Sequence, residues 1–263
     1  MTDQTPRHRW PMTVAGTILV AVAVAAAVGP GVAAPAAFQP ATTKAVAAPS
    51  MSHDPQILQL PQPNQFVRKV KNRYLPWIPG TRWFYVGGAH GEERITVKVL
   101  HRTKRIQGIT ATVVRDIVRE DGETTEDTFD WYAQDRDGNV WYLGENTREY
   151  DNGVVVSTEG SWEAGVNGAY AGIVMPDEPH EGMSYVQEYL EGEAEDQGKV
   201  LEVSTRVSVP FGSFRNVRMT LDTTTLEPRV AELKFYAAGV GTIRELDLNP
   251  EQGSTDLIRM VKP

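Results

Sequence analysis

The stretch at 199–223, KVLEVSTRVSVPFGSFRNVRMTLDT, decides the fold. In its first half Leu201, Val203, Val207 and Val209 alternate with Glu202, Ser204, Arg206 and Ser208. After the break PFGS, Val217, Met219 and Leu221 alternate with Arg218, Thr220 and Asp222. An apolar period of two, broken by Pro and Gly, predicts two antiparallel strands and a turn, with one side of each strand buried. The pattern continues outward. Ile95, Val97 and Val99 oppose Thr96 and Lys98, and Ile109, Ala111 and Val113 oppose Thr110 and Thr112. TRWFYVGG, TTEDTFDWYAQ, NVWYLGE, GVVVSTE, SYVQEYL, VAELKFYAA and GTIREL are further runs rich in β-branched and aromatic residues. HGEE, EDGE, DRDGN, DNG and LEP separate such runs. The nearest thing to a helix is a Pro- and Gly-broken turn around 176–183.

About ten or eleven such strands must hide one face and their edges, and open twisted sheets rarely exceed about ten strands. The expected fold is therefore all-β: a single strongly curved antiparallel sheet or an incomplete barrel. No repeat of 20–50 residues is visible, which argues against a propeller or solenoid.

Ahead of this domain, residues 12–28, MTVAGTILVAVAVAAAV, carry no charge and follow Arg7 and Arg9. The small-residue stretch GPGVAAPAAF comes next. This order predicts an export signal over 1–36. Cleavage after Ala36 is preferred to cleavage after Ala34, because Pro35 would then follow the cut. An uncleaved anchor is the alternative, since a membrane span needs about 20 apolar residues. Residues 37–71 read as a disordered Pro/Ala/Gln-rich linker, and 72–263 as the exported β-domain. Arg68, Lys69, Lys71 and Arg73 read as a solvated lead-in. The expected location is extracytoplasmic, with membrane contact only through the N-terminal segment if it stays uncut.

Composition narrows the classes. The chain has no cysteine, which excludes disulfides, thiol chemistry and lipid attachment through an N-terminal Cys. Its formal charge is −8, which argues against a nucleic-acid partner.

Five segments carry a resemblance: NRYLPWIPGTRWFYVG (72–87), EDTFDWYAQDRDGNVWYLGE (126–145), GSWEAGV (160–166), VPFGSFRNV (209–217) and KFYAAGVGTIRE (234–245). Together, 72–245 resembles a group of secreted or lipoprotein-like bacterial β-domains. Arg73, Trp77 and Ala238 depart from that group's usual Pro, Leu and Pro. The group has no assigned activity, so the resemblance implies no site residues. Similar openings and closings occur in curved sheets of the lipocalin or lipoprotein-carrier type, a likeness of fold alone.

The aromatic residues supply the first candidate site. Trp141, Tyr142, Tyr185 and Tyr236 are expected to line a concave face and hold an apolar ligand, the other reading being ordinary core. Asp135, Asp137 and Asn139 place oxygens at alternate positions, as in the first half of a calcium loop. The loop lacks the Gly and Glu such a loop needs at its sixth and twelfth positions, which favours a plain hairpin turn. No cofactor is expected, with calcium at this loop as the alternative. Glu188, Glu191, Glu193, Glu195 and Asp196 form an acidic group that could serve a hydrolase, if two carboxylates faced each other across a cleft. Glu126, Asp127 and Asp130 form another. His90, His101 and His180 have no catalytic or metal spacing, and no G-x-S-x-G elbow exists. The leading expectation is a non-enzymatic exported domain that binds an apolar molecule or envelope partner in its concave face. A carboxylate-based hydrolase of envelope polysaccharide and a purely structural module are the alternatives.

Overall fold

The computed structural model describes residues 58–88, 90–248 and 253–263. The export segment and most of the linker lie outside the described residues.

The fold is all-β and antiparallel. Strands β1 (Arg82–Gly87), β2 (Glu93–Ile106), β3 (Ile109–Glu120), β4 (Glu123–Gln134) and β5 (Val140–Asn146) form one meander. Short strands follow: β6 (Glu149–Asp151) pairs with β4 and with β7 (Val154–Ser157), while β8 (Trp162–Glu163) and β9 (Tyr170–Met175) pair with β5. After β10 (Ser184–Val186) and β11 (Glu188–Tyr189), a second meander runs through β12 (Asp196–Val209), β13 (Gly212–Thr224), β14 (Ala231–Ala237), β15 (Gly241–Asp247) and β16 (Ser254–Val261). Strand β16 pairs back onto β1, joining the two meanders. The described residues thus hold sixteen strands, against the ten or eleven expected, because several runs break into pieces of two to four residues.

The run 184–189 nearly closes this sheet into a barrel. Its first half, β10, pairs with β12, the Gln187 amide donates to the Asp196 carbonyl, and its second half, β11, pairs with β9. Two glycines make room for it. A Cβ on Gly172 would lie 2.3 Å from the Val186 carbonyl oxygen, and one on Gly198 would lie 2.5 Å from the Tyr185 ring. Only glycine permits such approach.

Rows across the meander identify the inward face. Trp83, Val97, Asp116 and Thr128 are successive partners, as are Tyr85, Ile95, Val118 and Glu126, and all are buried. The face expected for β13 holds at Val217, which is buried, and is reversed beyond it. Thr220, Asp222 and Thr224 are buried, whereas Met219 and Leu221 are half-buried on the other side. The cause lies on β14, where Lys234 points inward with its Nζ 3.3 Å from Asp222. On β12, irregular pairing between Val200 and Arg206 shifts the alternation, so Val200, Val207 and Val209 are buried while Leu201 and Val203 are half-buried.

One end of the barrel is capped. The β2–β3, β4–β5 and β14–β15 turns lie at this end, and the segment 63–81 crosses them. The Val67 amide donates to Gln134, the Asn72 side chain donates to the Gly138 carbonyl, and the Gly239 amide donates to Arg73. Tyr74, Leu75 and Trp77 fill the space beneath. Ordered packing therefore begins before residue 72, inside the expected linker: Val70 is buried and Phe66 bridges to Asp135. The opposite rim carries Glu92, Glu120, Asp121, Glu123, Glu191, Glu193, Glu227 and Asp247 in or beside its turns. That end is strongly acidic.

Candidate functional site

The inward face was expected to be an apolar concavity. Buried aromatic side chains occupy it together with buried ionisable groups. Five rings run through it in contact. Trp83 meets Trp77 edge-on, Trp77 tilts against Tyr132, Tyr132 stacks on Tyr142 at 5.0 Å, and Tyr142 meets Trp162 edge-on.

Carboxylates occupy much of the remainder. The Tyr142 hydroxyl lies 2.9 Å from both Asp130 and Glu145. A phenol has one proton, so both contacts are hydrogen bonds only if one carboxyl is itself protonated. Burial pushes Asp130 up to about 7 and Glu145 well above the usual carboxylate range. Glu188 accepts from the Trp162 indole at 2.6 Å, while its other oxygen has no partner. Burial, then Asp196, drives Glu188 upward. Asp116 and Glu245 are raised by burial too, and both Glu245 oxygens and one of Asp116 are unpartnered. Burial alone would lower Lys234, yet Asp222, Glu232 and Glu245 hold it well above the ordinary lysine value. A cavity of about 20 Å³, room for one water, lies between Glu93, Glu232, Glu245 and Thr255.

The sequence-predicted residues fall in separate places. Trp141 is buried outside the ring chain; its indole donates to Asp135 and its edge meets Phe66. Tyr142 lies in the ring chain, Tyr185 lies on Gly198, and Tyr236 lies inward two residues from Lys234. None of the four lines the small inner cavity or the two depressions of the outer face. Asp135 accepts from the Asn139 amide, the Asn139 side chain and the Trp141 indole. Its oxygens are thus engaged by N–H donors, which build a tight turn, while Asp137 is exposed. Among the described residues, no three His, Asp or Glu side chains converge as a metal site. In the acidic group at 188–196, Glu188 turns inward, Glu191 and Glu193 are exposed, and Glu195 binds Thr225. Of the other group, Glu126 and Asp130 face inward, but Asp127 faces outward in a bidentate pair with Arg115.

That pair belongs to a site the sequence reading missed. On the outer face of β2–β5 lies a depression of about 630 Å³ lined by Arg102, Thr103, Lys104, Phe129, Asn146 and Arg148, with Trp131 and Val113 at its base. A second depression of about 560 Å³ is lined by Arg115, Arg119, Glu123, Thr124, Asp127 and Tyr150, with the β6–β7 turn at its edge. The two adjoin. Arg115, from the second, lies over the ring of Phe129, from the first; Asp127 and Arg148 exchange backbone hydrogen bonds. Both volumes fall in the range of ligand pockets.

The cations here are held in place. Arg102 lies over Phe129 at 4.6 Å, and Lys104 lies over Trp131 at 3.2 Å while reaching Glu163 at 2.8 Å. The ring contacts fix a long side chain without neutralising it, whereas the ion pair with Glu163 offsets the charge of Lys104. The available signal was cation placement. Arg115 and Arg119 flank inward Asp116 and Val118, so in an acidic chain β3 turns its positive charge outward.

No family model matches the chain, and no curated protein matches it in sequence. Among solved structures, that of a candidate lipoprotein from Parabacteroides distasonis is similar at 11% identity and a TM-score of 0.38, covering 72% of this chain and 99% of that one. That likeness is loose, and the reading of the site rests on its side chains.

Proposed function

We propose that this chain is an exported, non-enzymatic barrel domain that binds a cell-envelope component on its outer face, in the groove of β2–β5. The contrast between interior and groove carries this reading. The interior is packed with rings and carboxyls and capped by residues 63–81, whereas the groove is open and lined by fixed cations. Export is supported by the apolar run at 12–28 behind Arg7 and Arg9.

The hydrolase alternative gains little from this geometry. Asp130, Glu145 and Glu188 have raised proton affinities, but each is at most 5% exposed. A glycosidase pair must reach the sugar between its carboxyls.

Two measurements test the proposal. Native mass spectrometry of the chain exported from a bacterial host is expected to give a bare mass, with the N-terminus at residue 37 if the signal is cut. An excess mass removed by organic extraction would overturn the outer-face reading in favour of a carried apolar molecule. Co-sedimentation with isolated envelope should be lost on reversing charge with Arg102→Glu and Arg148→Glu together. Unchanged co-sedimentation would place binding elsewhere.

A further inference from the structure

We infer that the groove takes an acidic, hydroxyl-rich glycan, a polymer whose negative charges are spaced by sugar or polyol units. This rests on the groove being the binding site, and adds the ligand's chemistry.

Three features lead to that class. The first is charge. Arg102, Lys104, Arg115, Arg119 and Arg148 line the two depressions, against the carboxylates of Glu123 and Asp127. A chain of formal charge −8 has therefore gathered cations on one outer surface. Arg102 and Arg148 are exposed and make no ion pair among the described residues, so their guanidinium forks are open to carboxylate or phosphate.

The second feature is the polar lining between the cations. Thr103, Asn146, Thr124 and Asn152 can both donate and accept hydrogen bonds, and Asp127 can only accept. A surface that must bind hydroxyls as well as charges needs this mixture.

The third is what the two carboxylates rule against. Duplex DNA presents one charge per about 1.7 Å of axis. Glu123 and Asp127 would meet that density at close range. A glycan with one acid per sugar can place a hydroxyl at Asp127 and its acid at Arg102 or Arg148. The aromatic rings fit this division of labour. Phe129 is covered by Arg102 and Arg115, and Trp131 by Lys104, so they hold cations in position instead of offering a bare stacking face.

The test uses the full exported chain and four probes at low salt: polygalacturonate, poly(glycerol phosphate), neutral dextran and a DNA duplex. Polygalacturonate or poly(glycerol phosphate) is expected to bind, and the stronger of the two names the acid group. Binding should weaken as salt rises. Arg102→Gln and Arg148→Gln should each weaken it about tenfold, as loss of a charge-assisted contact does. Arg206→Gln, an exposed change on β12, should leave it unaltered. An unchanged thermal midpoint would show that the variants fold. Equal binding of dextran, equal or tighter binding of DNA, or wild-type binding by both groove variants would overturn the inference. If both acidic polymers fail while the charge-reversed variant still loses envelope binding, the groove stands as the site and the ligand class is wrong. If that variant keeps envelope binding, the site itself is wrong.

Discussion

Strands β3 and β4 present two environments from one stretch of chain. On the inward side stand Asp116, Glu126, Thr128 and Asp130, buried beside Tyr132. On the outward side stand Arg115, Asp127, Phe129 and Trp131, where cations rest on rings at the surface of a groove. The inner carboxyls are costly because they have left water, and burial raises the proton affinity of Asp116 and Asp130, while across the barrel Lys234 offsets Asp222 and Glu232. The outer cations have left little water; Arg115 and Lys104 are paired with Asp127 and Glu163, while Arg102 and Arg148 stand exposed. A period of two therefore separates a stability problem from a recognition surface by one residue.

The largest effect should come from the inner side. Lys234→Met removes the cation beside Asp222 and Glu232. Breaking a buried pair by deleting one partner costs about 3–5 kcal/mol. Urea unfolding at pH 8 should register that loss, and at pH 5 the loss should shrink as neighbouring carboxyls take up protons. An equal cost at both values would mean that Lys234 stabilises by packing and not by charge. Next comes the closing seam. Gly172→Val drives a side chain into the backbone at Val186 and Gln187, where overpacking should cost about 3 kcal/mol. If Gly172→Val unfolds at the wild-type urea midpoint, the run 184–189 does not close the barrel in solution.

Acidity offers a third way to break the comparison. Glu93, Asp130 and Asp196 sit at about 7 in the folded protein, raised mainly by burial from ordinary values of 4.5, 3.8 and 3.8. The folded state thus holds protons that the unfolded state has released between about pH 4 and pH 7. Stability from these groups is fully present below the lower bound and is lost as pH rises through the upper one. One pKa unit corresponds to about 1.4 kcal/mol, so the thermal midpoint should fall measurably from pH 5 to pH 8. A midpoint that rises over that interval would show the inner carboxyls to be solvated.

The sequence revealed the class of fold and several faces. Ile95, Val97 and Val99 are buried where their alternation put them. It misread β13, because hydropathy places Leu221 inside and Asp222 outside, and nothing local reports that Lys234 reaches Asp222 across the neighbouring strand. The split of 184–189 between two partners was equally hidden, since it depends on Gly172 and Gly198 standing on different strands. The groove escaped notice for a related reason. Arg102, Arg115 and Arg148 lie on β2, on β3 and just past β5, and only the register β3–β4–β5 sets Arg115, Phe129 and Asn146 in one row.

The smallest expected effect probes the outer side. Phe129 is half-buried and carries two guanidinium groups on its ring, from Arg102 at 4.6 Å and Arg115 at 5.2 Å. Phe129→Leu keeps an apolar side chain but removes the π face. A cation–π contact at an exposed site is worth about 0.5–1 kcal/mol, so the change in unfolding free energy should stay near 1 kcal/mol. Binding of polygalacturonate should nevertheless weaken by about threefold to fivefold, although no charge has changed, because Arg102 must be ordered anew each time it meets an acid group. If stability moves as expected and binding does not, Arg102 needs no ring beneath it and the groove acts through net charge alone. If binding falls as far as in Arg102→Gln, the ring and the guanidinium work as one unit, and the position of the cation matters as much as its presence.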